Sequence, residues 1–157
     1  MPNKIKSLAV GASLHQNKFS AVVLKFLLTN GSFLLASWSS VHAVKLLQIM
    51  AEYISYLSQK EIALNGDSAK SIIQKHAPKI SQSELESAPP NCVVTEITGH
   101  VDAKNNITLT IGFDQVEERV PIVITPEYAE WIVGYVVNTL NEFDESGNIL
   151  VPESSVH

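Results

Sequence analysis

The chain has 157 residues, 45% hydrophobic and 17% charged, with a net charge of −5; this excludes a disordered chain and suits one domain, residues 1–157, that buries roughly two-thirds of its unfolded surface. One cysteine, Cys92, excludes an internal disulfide framework and any multi-cysteine metal site. The charge is uneven: residues 1–99 hold nine lysines and no arginine against six acids, a surplus of three, whereas residues 100–157 hold ten acids against Lys104 and Arg119, a deficit of eight.

From the N-terminus, Ile5 to Gly11 reads as a short strand and Phe19 to Leu28 as a stronger one, with Val22, Leu24, Phe26 and Leu28 on its inner set. Asn30-Gly31 is the signal for a type I′ hairpin turn, in which both central residues need φ > 0. Ser32 to Trp38 returns as the partner strand. Ser39 or Ser40 then caps a helix to about Lys60, striped by Ala43, Leu47, Met50, Ile54 and Leu57 and widened by Leu46 and Tyr53. Asn65-Gly66 ends that segment, Asp67 or Ser68 caps a shorter helix through His76, and Ser83 to Ser87 adds a turn before Pro89-Pro90 stops it. Cys92 to Val101 reads as a strand with Val93, Thr95, Ile97 and Val101 on one side, and Cys92 as a small buried thiol. Lys104-Asn105 turns the chain into Asn106 to Phe113, where strict alternation sets Ile107, Leu109, Ile111 and Phe113 on one face. A polar turn around Asp114 and Gln115 leads to a strand from Arg119 to Ile124. Thr125 caps, and Pro126 opens, an amphipathic run to Phe143. Its stripe of Tyr128, Ile132, Tyr135, Val136, Thr139, Leu140 and Phe143 predicts a helix laid back across the apolar face of its own hairpin. The tail 144–157 is expected to be mobile, with Ile149 and Val151 able to pack on the body.

The same order, three strands and a helix, occupies residues 1–60 and 92–143, with a helical connector over 61–91, although identities do not repeat. The expected fold is therefore α+β: antiparallel sheet built from two β-meander-plus-helix units. Either a pseudo-dimer or one mixed sheet with helices on one side satisfies the pattern. No apolar run is long enough to span a membrane, because Lys25 interrupts the longest strand, and the N-terminus has no signal-peptide core, so a cytoplasmic protein is expected.

The run Phe19 to Gln59 (Phe-Ser-Ala-Val-Val-Leu-Lys-Phe through His-Ala-Val-Lys-Leu-Leu to Tyr-Leu-Ser-Gln) resembles the N-terminal region of the YjeJ-like proteins of enterobacteria. The run Asn106 to Glu142, with Asn-Ile-Thr-Leu-Thr-Ile and the strand-to-helix passage beyond it, does so too. The resemblance covers most of this chain and about the first half of the longer family members. It implies the order of elements and a bacterial accessory protein, and it transfers no site residue.

No catalytic motif stands out. His15, His42, His76 and His100 have no His or Cys at ligand spacing, and surface or packing roles account for them. A Cys92–His100 dyad is excluded because the two lie roughly 26 Å apart at strand rise. The glycines are scattered, with neither a dinucleotide-binding fingerprint nor a P-loop, and no serine sits in a nucleophile elbow. The acids around the second hairpin are the most suggestive group: Asp114, Glu117 and Glu118 in its turn, and Glu127 and Glu130 in the first turns of the following helix. A solvated face is the plain explanation, and Glu127 and Glu130 also complement the helix dipole; a protein-binding surface comes next, and acid–base or Mg²⁺ chemistry last. Tyr53 and Tyr135 read as core, while Tyr56 and Trp131 sit at stripe edges where a partner can meet them.

These features favour a non-catalytic acidic protein, without cofactor or metal, that inhibits a basic protein partner. Asp114, Glu117, Glu118, Glu127, Glu130 and Trp131 are the candidate surface. Its most concrete form is an immunity protein neutralising a toxin nuclease, with a phage or plasmid anti-defence inhibitor as a variant. A second class is single-stranded nucleic-acid binding, since repeated meander-plus-helix units resemble PUR and Whirly-type domains. Lys18, Lys25 and Lys45 would serve it, although the overall charge disfavours nucleic acid. Free strand edges also leave room for a homodimer or strand addition by a partner.

Overall fold

A computed structural model describes residues 2–150. It is α+β, a six-stranded mixed sheet with four helices: β1 (Asn3–His15), β2 (Lys18–Leu28), β3 (Phe33–Trp38), α1 (Ser40–Gln59), α2 (Gly66–His76), α3 (Gln82–Glu86), β4 (Val94–Val101), β5 (Ile107–Phe113), β6 (Val120–Ile124) and α4 (Pro126–Leu140). The strand order is β3-β2-β1-β6-β5-β4. Pairing is antiparallel within β1–β3 and within β4–β6. The two meanders join through a short parallel contact, Asn3 beside Ile122 and Lys4 beside Val123. At the opposite margin β3 meets the start of β4 in one parallel bridge, Ser37 to Val93. The sheet thus bends round until its outer strands touch.

The turns follow the backbone's tolerance for positive φ. Gln16 and Asn17, with φ of 52° and 65°, form the two-residue turn between β1 and β2. The Asn30-Gly31 site is not a type I′ turn. Only Gly31 has positive φ, and bonds from Leu28 N to Ser32 O and from Gly31 N to Leu28 O close a longer loop, a turn followed by one left-handed residue. Asn105, at φ 65°, does the same between β4 and β5, where the Asp102 carboxylate accepts from the Lys104 and Asn106 amides.

Both first strands carry a bulge, at Lys6 in β1 and at Thr95 in β4. The bulge in β4 shifts the expected alternation: Val94 and Ile97 turn inward, while Val93 and Thr95 are exposed. Cys92 lies before the strand, in a 3-10 turn (Pro90–Cys92), half-buried rather than buried within a strand.

α4 does not lie on its own hairpin, and α1 is shared between the two meanders. α4 makes its closest strand approach to β1 and β2, and α1 lies against β4 as well as β2 and β3, so each helix crosses to the other meander and the two also touch each other. The third helical residue of each seals the opposite bulge: Tyr128 Oη donates to Lys6 O at 2.7 Å, and His42 Nε2 lies 3.1 Å from Thr95 O. The His42 Nδ1 is 2.9 Å from the Ser39 hydroxyl, so a proton on Nε2 serves the Thr95 carbonyl while Nδ1 meets Ser39. Ser39 caps α1 by accepting from the His42 amide, whereas Thr125 caps α4 without a side-chain bond. The core fills the space between sheet and helices, with Val22, Leu24, Phe26, Trp38, Leu46, Met50, Leu109, Ile111, Ile132 and Val136 at 0% exposure. Tyr53 is buried as expected, but Tyr135 is half-buried and Leu47 and Ile54 flank their stripe.

The connector covers the outer face of the first meander only. Small residues there let it approach: a Cβ on Gly11 would sit 2.8 Å from Leu85 Cδ2. Ser7 Oγ donates to Ile73 O, Ser13 Oγ donates to Leu85 O, and the Lys25 ammonium bonds Lys79 O and Glu84. Asn65-Gly66 starts α2 rather than ending the preceding segment, with left-handed Asn65 at its N-cap in place of Asp67 or Ser68. α3 opens with a capping box between Ser81 and Glu84. Residues 144–150, expected to be mobile, form a turn docked on β2: Gly147 O accepts from Phe19 N at 2.8 Å, and the Phe19 and Phe143 rings lie 5.0 Å apart. Ile149 is nonetheless 55% exposed, and Val151 lies outside the described residues.

Candidate functional site

The six candidate residues fall into two places. Asp114, Glu117 and Glu118 belong to the β5–β6 turn, and Glu127, Glu130 and Trp131 to the start of α4 beyond the other end of β6. The five residues of β6 hold the groups roughly 16 Å apart at strand rise. The sequence joined them because they are close in the chain; an extended strand separates them in space.

The turn is built against the margin where β3 meets β4. Its Asp114 amide donates to Val93 O at 2.9 Å, and left-handed Gln115 bends the chain back. Beside it runs a groove of about 440 Å³ lined by Phe33, Leu34, Leu35, Glu84, Pro89, Asn91, Cys92, Phe113, Val116 and Val120. Phe33 is 58% exposed at its lip, and Val93 and Val116 are exposed near it. The neighbouring cations are engaged elsewhere. Lys25 is 3.1 Å from Glu84 and sits over the Phe33 ring, while Arg119 is 2.8 Å from Glu96. Among the described residues Asp114, Glu117 and Glu118 have no ion-pair partner; they do not line the groove but interleave in sequence with Phe113, Val116 and Val120, which do. The Glu84 carboxyl is held below its usual range by the Ser81 backbone N–H and then by Lys25, and burial pushes the Cys92 thiol up.

The second place is a cleft of about 280 Å³ lined by Gly66, Asp67, Glu130, Trp131, Gly134, Tyr135 and Asn138. Trp131 is not a free anchor there: its indole N–H donates to Gly66 O at 2.8 Å and its ring meets Tyr135 edge-on, fastening α4 to α2. Glu127 is half-buried, and its charge acts on Tyr53 and Tyr128. Burial raises both phenols above their ordinary value, Tyr53 far above it; the Asp102 and then the Glu127 carboxylate add to the shift at Tyr53, and Glu127 to that at Tyr128. Tyr53 and Tyr56 clamp the β4–β5 turn through the Asn105 carbonyl and side chain, at 2.6 and 3.0 Å. Glu127 thus belongs to a structural cluster, while Glu130 is exposed on the cleft.

The histidines lie on separate elements, and among the described residues no group of three or more His, Cys, Asp or Glu is placed to hold a metal. The uncovered outer face of the second meander carries exposed Thr98, His100 and Pro121 with half-buried Glu96, Thr108 and Thr110. The groove residues Phe33 and Val116 were missed by the sequence reading; an aromatic two positions after the hairpin glycine Gly31 was the available signal. No described helix is long and apolar enough to cross a membrane. Compared with known proteins, the chain matches no family model, no curated protein and no solved structure.

Proposed function

We propose that this chain is a non-catalytic binding protein that inhibits a basic protein partner, docking it through the β5–β6 turn and the groove beside it. The carrying observation is that the turn bearing Asp114, Glu117 and Glu118 and its flanks also supply Phe113, Val116 and Val120 to a groove of about 440 Å³. An apolar centre with a polar rim is the anatomy of protein–protein interfaces, where buried contacts supply affinity and rim charges supply on-rate and specificity. The most concrete form is an immunity protein that neutralises a toxin nuclease in the cytoplasm, in keeping with the acidic C-terminal half and with the resemblance to YjeJ-like accessory proteins. Single-stranded nucleic acid is the weaker reading. The open sheet face presents threonines, His100 and Glu96 where a base-stacking platform needs aromatic rings over a basic groove.

The test is a tagged pulldown from the native host at low and high salt, with two charge-reversed variants. Reversal at Asp114, Glu117 and Glu118 is expected to abolish recovery of a basic protein, and reversal at Glu130 and Asp67 to leave it intact. Recovery that survives the first reversal refutes the assignment of this surface.

A further inference from the structure

We infer that the groove takes an extended, lysine-bearing segment of the partner as an added strand on the free edge of β3, an inference that rests on the binding function proposed above. The Leu28 N to Ser32 O bond fixes which residues of β3 face β2. In an antiparallel ladder hydrogen-bonded pairs alternate, so Leu34 and Ala36 bond back to Phe26 and Leu24, while Phe33 and Leu35 point their N–H and C=O groups away from the sheet. Farther along, Ser37 meets Val93 in a bridge, and the Pro90–Cys92 turn packs near the strand.

The chain before Val93 does not continue along that edge, for a local reason. Pro89 and Pro90 have no N–H to give, and bonds from Cys92 N to Pro89 O and Val93 N to Pro90 O coil the segment into its 3-10 turn. The equivalent margin between β1 and β6 has no such turn and carries two residue pairs instead of one. The result is an exposed edge beside an apolar trough, the arrangement that strand addition uses: backbone bonds for affinity, alternate side chains for specificity. One set of side chains of an added strand would enter the trough over Leu34, Phe113 and Val120, which line it. Charge complementarity selects the occupant. With Lys25 and Arg119 already paired, Asp114, Glu117 and Glu118 favour lysines on the incoming segment.

The probe is a short peptide of alternating lysine and valine, with a copy N-methylated at alternate residues as the control that keeps charge and loses donors. Backbone amide exchange is followed by NMR on the full chain. At about ten times its dissociation constant, the peptide is expected to slow exchange at Phe33 and Leu35 about tenfold, the methylated copy is not, and Phe33→Lys abolishes the effect without unfolding the chain. Equal binding by both peptides, with shifts confined to residues 114–118, overturns strand addition and leaves the acidic-surface function standing. No binding by either at low salt overturns both. Protection of Phe33 and Leu35 that rises with protein concentration in the absence of peptide assigns the edge to a second copy and also overturns the inference.

Discussion

Tyr128→Phe isolates one of the two bonds by which the helices seal the opposite bulges. The ring is 5% exposed and stays buried in the variant, so only the 2.7 Å bond to Lys6 O is lost. Lys6 is itself exposed, and the bond is only part-buried. The loss is therefore the net value of one hydrogen bond, about 1 kcal/mol, and not the larger penalty of an orphaned buried acceptor. For a chain of this size that is a fall in Tm of roughly 2–4 °C. Tyr128→Ala removes the ring as well and is expected to cost about 3–5 kcal/mol. Thermal and urea unfolding followed by circular dichroism give both values. Hydrogen exchange in the first turn of α4 should rise in the Phe variant while the β4–β5 turn stays protected. A Phe variant as stable as the parent would refute the claim that this bond fastens α4 across the first meander.

Alkaline stability follows from Tyr53 and Tyr128. Their folded-state pKa values lie above the ordinary 10.0, so the folded chain holds protons that the unfolded chain releases, and stability falls as pH rises past that value. Tyr53→Phe should flatten that fall in denaturant midpoints measured on either side of it. Glu84 has the opposite sense: its lowered carboxyl contributes stability above its ordinary 4.5 that is lost as pH falls, so Glu84→Gln should lose part of the acid dependence of unfolding. Gly99→Ala would place a Cβ 2.7 Å from Ile49 Cγ2 and 3.1 Å from Ile107 Cδ1. Forcing α1 away from β4 in this way should cost about 1–3 kcal/mol of unfolding free energy; an unchanged midpoint would show that the helix has room to move.

Local chemistry was legible in the sequence wherever one element decided it. The alternation in Ile107 to Phe113, the Ser39 cap and Pro126 at a helix start each fixed an element without help from the rest of the chain. Two features hid the remainder. A bulge adds a residue without a compositional mark, so the faces of Val93 and Thr95 came out reversed. Which sheet a helix covers depends on strand order, and the short β1–β6 contact that sets it involves only Asn3, Lys4, Ile122 and Val123. The candidate site suffered in the same way. Acids fewer than twenty positions apart in the chain were joined across β6, while Phe33, far away in sequence, shares a groove with Phe113, Val116 and Val120 beside the turn.

The exchange of helices bears on how the chain reaches its native state. Lys6 and Tyr128 are separated by 122 positions, and His42 and Thr95 by 53, so neither meander is fully covered until the other half is present. Such contacts require closing long loops before they are rewarded, which places folding in the slow, topology-limited regime. During synthesis the first sixty residues would emerge with α1 against β2 and β3, but with the part of the apolar face that α4 covers still open. Cutting the chain within the connector would give two fragments that are each unfolded alone and fold only on meeting, as the two subunits of an obligate dimer do.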